Sequence, residues 1–345
     1  MVLVRQAYKL FLFLFLFSCA TENSNVNRIL KSKEIKHRIE KKYSPQEDKT
    51  LIPGNQSDNL SDNILSEGTV SCLMLSNDDL WIGMLGGAIY RYNVFTNEIK
   101  KFLDEKYTIV DYSIKKIVDT DEFIYALQSN KIIKINKKKE TIEEIYFPDN
   151  LYRSSDMVLG DKKIYLSTLG FGLWEVDLNN NNFIQIESNI EFISSLLFKD
   201  QQLYIGSMDN GLYILNIPKN KIESRLKYPL KLFRKNILSI IIIDDMLILG
   251  TQKNGILKWN FKDNILTNTY EKDYVSSISK TSEDYFIASL MGKGILINFI
   301  NNDEKLLTID NSLVTNNITS VILFNNLLIY GTIKKGIQVQ ELQKL

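Results

Sequence analysis

One short pattern recurs seven times along the chain. It reads LWIG (80–83), IYAL (124–127), IYLS (164–167), LYIG (203–206), LILG (247–250), YFIA (285–288) and LIYG (328–331). Each copy is an apolar run with a small residue in or at the end of it: Gly83, Ala126, Ser167, Gly206, Gly250, Ala288 and Gly331. Those residues fall 38 to 44 positions apart. An alternating run such as Val70/Cys72/Met74 precedes the first copy, and a turn and a third apolar run follow it. Alternation of period two belongs to strands. Six of the seven turns contain glycine (Gly86-Gly87, Gly170/Gly172, Gly211, Gly255, Gly292/Gly294 and Gly336), and the second has Ser129-Asn130 instead.

Four short strands in a unit of about 40 residues is the pattern of a β-propeller blade. One such sheet cannot bury both its faces, but a ring of stacked sheets can. The expected fold is therefore all-β: a seven-bladed β-propeller with four-stranded blades over residues 50–345, with blade cores near 83, 126, 167, 206, 250, 288 and 331. The seventh unit, ITSVILFNNLLIYGTIKKGIQVQELQ, stops after its third strand. Residues from about 50 to 68 are expected to supply the fourth and so join the two ends of the chain. Such closure pairs the edge that the last blade would otherwise leave open.

The units resemble the propeller repeats of two-component regulators. LWIGMLGGAIYRYN (80–93) carries the likeness best, and NILSEGTVSCL (63–73) and DNSLVTNNITSV (310–321) resemble the connectors between blades of that family. The resemblance covers residues 63–345 and implies architecture more than function, because propellers host catalysis, sensing and scaffolding alike.

The chain opens differently. Residues 10–17 are an unbroken apolar run, LFLFLFLF, behind Arg5 and Lys9. Eight residues are too few to span a bilayer, which takes about 17–25. They suit the apolar part of an export signal. Leu16-Phe17-Ser18-Cys19 resembles a bacterial lipobox, with cleavage between Ser18 and Cys19 and lipid on the cysteine. The alternative is an incidental thiol in a leader cut elsewhere. On the lipobox reading, 1–18 is a lipoprotein signal peptide and 19–49 a polar, lipidated tether. The tether includes RILKSKEIKHRIEKK (28–42), read either as a short amphipathic helix on an anionic membrane surface or as a solvated linker. Several acyl chains on Cys19 would hold the protein to a membrane.

The totals exclude some functions. With 42 basic and 41 acidic residues the net charge is +1, which gives no broad attraction for nucleic acid. The single histidine, His37, lies in the tether, so no Ser–His or Cys–His pair and no multi-histidine zinc site is available to the repeats. Apart from Cys19 the only cysteine is Cys72, so no internal disulfide is expected. Acidic clusters occur at Asp78-Asp79, Asp119/Asp121-Glu122, Asp244-Asp245 and Glu283-Asp284. All occupy one repeat position, the first turn of a blade, where Asp and Asn are ordinary turn residues. Spread round one rim, they are expected to be too far apart to meet. The glycine turns lack the following helix of a phosphate loop. Trp81, Trp174 and Trp259 are expected to pack between blades. No cofactor and no metal is expected, and the protein is read as a non-enzyme.

The connectors between blades share a face with the glycine turns, because successive strands alternate in direction. The longest, RLKYPLKLFRKN (225–236), interleaves basic and aromatic residues. Tyr228, Phe233 and Arg234 there, Tyr152 and Arg153 in another connector, and Met208 and Met291 in turns are the candidate partner-binding residues. The alternative for 225–236 is a solvated loop. The expected function is a lipid-anchored scaffold for protein–protein interaction in the bacterial envelope, on the periplasmic face of the outer membrane or at the cell surface. Its architecture is similar to that of the propeller lipoprotein of the outer-membrane β-barrel assembly machine, which implies that machine as a partner. The rival readings are an extracytoplasmic ligand-binding sensor or surface lipoprotein and, less favoured, a propeller enzyme.

Overall fold

The computed structural model describes residues 65–104, 112–186, 190–223, 229, 235–281, 285–299 and 304–342. Ser18, Cys19, the tether, and Tyr228, Phe233 and Arg234 therefore lie outside the described residues. Residues 61–345 form one compact unit. Its described residues form a seven-bladed β-propeller of 27 strands and include no α-helix.

Blade 1 is β1 (Val70–Ser76), β2 (Asp79–Met84), β3 (Ile89–Asn93) and β4 (Ile99–Leu103). Blade 2 is β5 (Lys116–Asp119), β6 (Phe123–Leu127), β7 (Lys131–Asn136) and β8 (Ile142–Tyr146). Blade 3 is β9 (Ser154–Leu159), β10 (Lys163–Thr168), β11 (Leu173–Asp177) and β12 (Phe183–Ile186). Blade 4 is β13 (Ile193–Lys199), β14 (Gln202–Ser207), β15 (Gly211–Asn216) and β16 (Lys221–Ile222). Blade 5 is β17 (Ile237–Ile243), β18 (Met246–Thr251), β19 (Ile256–Asn260) and β20 (Ile265–Thr269). Blade 6 is β21 (Val275–Lys280), β22 (Tyr285–Leu290), β23 (Gly294–Phe299) and β24 (Glu304–Leu307). Blade 7 is β25 (Ile318–Phe324), β26 (Leu327–Thr332) and β27 (Ile337–Glu341). Within each blade the strands pair antiparallel in chain order.

The first strand of every blade touches the first strands of both neighbours, from β1 round to β25 and back to β1. There is no single core. Seven apolar clusters fill the seven seams, one between each pair of blades. Second strands are buried on both faces, so they read as continuous apolar runs. Trp81, Trp174 and Trp259 are buried in these seams, as expected.

A β-bulge follows the first residue of the inner strand in six blades. The extra residue is Ser71, Ser155, Ser194, Leu238, Ser276 or Thr319. The four serines use the bulge to reach across the seam. Ser71 Oγ donates to the Ile114 carbonyl (2.5 Å), Ser155 to Ile193 (2.5 Å), Ser194 to Ile237 and Ser276 to Ile318 (3.0 Å). In blade 2 the matching residue is Lys115, whose Nζ donates to Ser154 O at 2.6 Å.

Register refines two of the blade cores by one residue. Gly83 pairs with Cys72, Gly206 with Ser195, Gly250 with Ser239 and Gly331 with Ser320. The equivalent pairs are Leu127 with Lys116 and Ser289 with Ser277. Ala126 and Ala288 thus sit one residue off and pack into the seam on the other side of their blades. A one-residue shift along a strand changes the face.

Closure begins as expected. Ile337 N donates to Leu65 O and Gly336 N to Gly68 O, both at 3.0 Å. Leu65 takes the place against β27 that Leu307 takes against β23 and Thr269 against β19. Residues 50–64, the rest of the expected closing segment, lie outside the described residues.

Candidate functional site

One backbone bond builds the connector face. In six blades the residue that leaves the second strand donates its N–H to the connector entering the same blade. The pairs are Leu85 to Thr69, Leu169 to Arg153, Met208 to Phe192, Gln252 to Asn236, Met291 to Tyr274 and Ile333 to Asn317, at 2.9–3.1 Å. Met208 and Met291 thus occupy one structural position, shared with Leu85 and Ile333. Five of the six residues there are apolar. Leu85 is 40% exposed and the two methionines are half-buried.

Blades 3 and 4 add aromatic surface to this face. Tyr152 is 46% exposed, and its ring lies 3.9 Å, centroid to centroid, from that of Phe171 in the next turn. Arg153 follows with left-handed backbone (φ 58°), and its carbonyl is held by Leu169. Phe192, in the connector into blade 4, is 37% exposed and also left-handed (φ 48°). A bulky side chain at positive φ is strained, and such strain collects at functional positions. The structure therefore gathers Tyr152, Arg153 and Met208 on two adjacent blades. Met291 lies apart on blade 6.

Sequence reading passed over Phe171 and Phe192. Phe171 had a signal: a large apolar residue between two glycines of a turn, GFG, has little to pack against within its own hairpin. Phe192 had none, because its exposure follows from the conformation of the connector.

Lys293 pairs with Asp273 at 2.7 Å. Burial pushes the Tyr270 phenol up to about 12, with help from Glu304, and burial holds Tyr274 well above the usual range. That connector therefore carries no phenolate at neutral pH. Around the channel, Asp156 of β9 accepts from the backbone N–H of Leu196 in β13 (2.8 Å) and faces Lys116 of β5 at 3.5 Å. It ties three inner strands together. Burial drives the Cys72 thiol up to about 12, so it is no nucleophile at neutral pH. Among the described residues no group of three or more His, Cys, Asp or Glu is placed to hold a metal ion.

On the opposite rim two pairs of neighbouring blades are bonded near their first turns, each through one carboxylate. Ser76 of blade 1 donates to Asp119 Oδ2 of blade 2 at 2.6 Å, and Gln201 of blade 4 donates to Asp161 of blade 3.

Comparison with known proteins places the fold. The extracellular domain of a one-component system of B. thetaiotaomicron superposes with a TM-score of 0.67 at 19% identity, over 84% of this chain and 40% of that one. The extracellular domain of a hybrid two-component system of the same organism gives 0.63 at 15% identity, over 80% and 40%. The WD40 domain of Pan2 from Neurospora crassa gives 0.60 at 11%, over 81% and 90%. This chain spans about two fifths of the length of the first two structures. At these identities the likeness is one of fold, that of a β-propeller. No family model matches the sequence, and a comparison with curated proteins finds no match.

Proposed function

We propose that this chain is an extracytoplasmic, non-enzymatic interaction propeller, held to a membrane through lipid on Cys19, whose connector face docks a protein of the bacterial envelope. One observation carries the reading. Equivalent apolar residues of several blades (Leu85, Met208, Met291) and the Tyr152–Phe171 and Phe192 aromatics emerge on the same face. Rigid aromatics and adaptable methionines are typical interface anchors. Two supports point outside the cytoplasm: the FLFLFLFSCA leader and the extracellular domains that share the fold. The β-barrel assembly machine of the outer membrane is the partner to test.

The test is a mild-detergent pull-down from native membranes with a C-terminally tagged bait. Stoichiometric recovery of assembly-machine subunits, lost in a Tyr152→Ala/Phe192→Ala bait and reduced in a Cys19→Ala bait, is the expected result. Recovery of no envelope protein overturns docking. A second reading, an extracytoplasmic ligand-binding sensor, then takes precedence. It draws on the signalling systems whose extracellular domains share the fold.

A further inference from the structure

On the face opposite the connectors, the seam between blades 1 and 2 departs from the pattern of five other blades. Two positions define the difference. One is the third residue after the bulge pairing in the inner strand. The other is the residue just past the third strand. In five blades both are apolar and sit in the same seam cluster: Leu75 with Val94, Leu159 with Leu178, Phe198 with Ile217, Ile242 with Phe261 and Leu323 with Leu342. In blade 6 the first position is the exposed Lys280, and the second lies outside the described residues. In blade 2 both are charged. They are Asp119 and Lys137, paired at 2.9 Å, and Lys137 Nζ also donates to Ser76 Oγ at 2.8 Å. The two changes complement each other, because either charge alone would face an apolar partner.

Replacing an apolar pair by a partly buried ion pair brings no net gain in stability. A break in a local rule without a stabilising return marks a functional position. Beside Lys137 lies a cleft of about 150 Å³, room for about five waters at about 30 Å³ each. Its walls carry both signs of charge. Lys137 and Arg91 are the cations, and Asp78 and Asp79 the anions. Ser76, Asn77, Trp81 and Asn93 complete the lining.

The groups retain bonding capacity. Lys137 uses two of its three N–H donors on Ser76 and Asp119. Arg91 holds Glu140 at 3.2 Å, but its Nε lies 4.0 Å from Asp79 Oδ2, beyond hydrogen-bond reach. Asp79 Oδ1 accepts from Asn93 at 2.9 Å, and Asp78 stands exposed at the mouth.

We propose that this seam is a binding site for a small zwitterion of the α-amino-acid class. The ligand carboxylate is taken by Lys137 and Arg91, and its ammonium group by Asp78 and Asp79. The proposal is independent of partner docking on the connector face.

The experiment titrates the full chain in detergent with L-alanine and L-glutamine, read by calorimetry and by thermal midpoint. Acetate and methylammonium serve as single-charge controls. Saturable binding of at least one amino acid, about tenfold or more tighter than either control, is expected. The Asp119→Leu/Lys137→Leu variant restores the apolar pair of the five other blades. It should unfold at or above the wild-type temperature and lose the binding. Arg91→Met provides the same test should the double variant not fold. Absence of saturable binding at millimolar amino acid overturns the site. So does binding that survives these variants, or controls that bind as tightly as the amino acids.

Discussion

At the residue scale, the seams are built on absent side chains. A Cβ on Gly206 would lie 2.2 Å from Ser195 Oγ and 2.7 Å from Ile237 Cγ2 of the next blade. Gly206→Ala is expected to cost about 1–3 kcal/mol by overpacking, measured by urea unfolding. Ser195→Ala in the same chain should recover part of that loss, because its buried hydroxyl has no partner to lose. Cys72 gives a pH prediction. Its thiol ionises near 12 in the fold and near its ordinary value of 9.0 when unfolded. The neutral form is the one the fold prefers. Its contribution to stability is thus full below about 9 and declines as pH rises from there toward 12. At pH 8 the native thiol should resist alkylation and the unfolded thiol should react. Phe192 separates stability from function. Phe192→Gly relieves a left-handed bulky residue and should raise the thermal midpoint slightly, while weakening partner capture.

At the element scale, the bulged inner strand does what a regular strand cannot. It turns one extra residue toward the next blade, and four serines and Lys115 use that reach to hold a neighbour's carbonyl. Ser194→Ala removes bonds to both Gly206 O and Ile237 O. It should cost about 0.5–1.5 kcal/mol, read as a lower urea midpoint at unchanged slope. Outer strands contribute less. β16 is only two residues long, and Ile142, Tyr146, Ile184 and Ile265 on outer strands are largely exposed. Exchange of backbone hydrogens should therefore be fastest in the fourth strands and slowest in the second.

At the scale of the whole molecule, a ring of nearest-neighbour seams depends on its closing joint. Gly336 is that joint's tightest point. It has φ +59°, and a Cβ there would lie 1.6 Å from Leu65 O. Gly336→Ala meets both left-handed strain and a backbone clash, and should cost more than Gly206→Ala. It should also lower the unfolding slope by letting blade 7 detach before the rest. The second joint that distinguishes one seam from another is the Asp119–Lys137 pair, where the repeat departs from its own rule.

The architecture was legible in the sequence because it is written seven times. Seven apolar cores at near-even spacing specify seven blades, and period-two alternation specifies strands. The incomplete last unit pointed to closure by the chain's start, and Leu65 and Gly68 do pair there. Tyr152, Arg153, Met208 and Met291 were placed on the connector face by strand direction alone. Three things were decided only in the folded ring. Register showed that Leu127 and Ser289, one residue on from Ala126 and Ala288, are the equivalents of Gly83, because a one-residue step along a strand changes the face. The exposure of Phe192 follows from a connector conformation that no propensity predicts. The contact of Asp119 with Ser76 and Lys137 joins residues of different blades and different turns. Each taken alone is an ordinary turn or surface residue, and only the packing of blade on blade brings opposite charges into one seam.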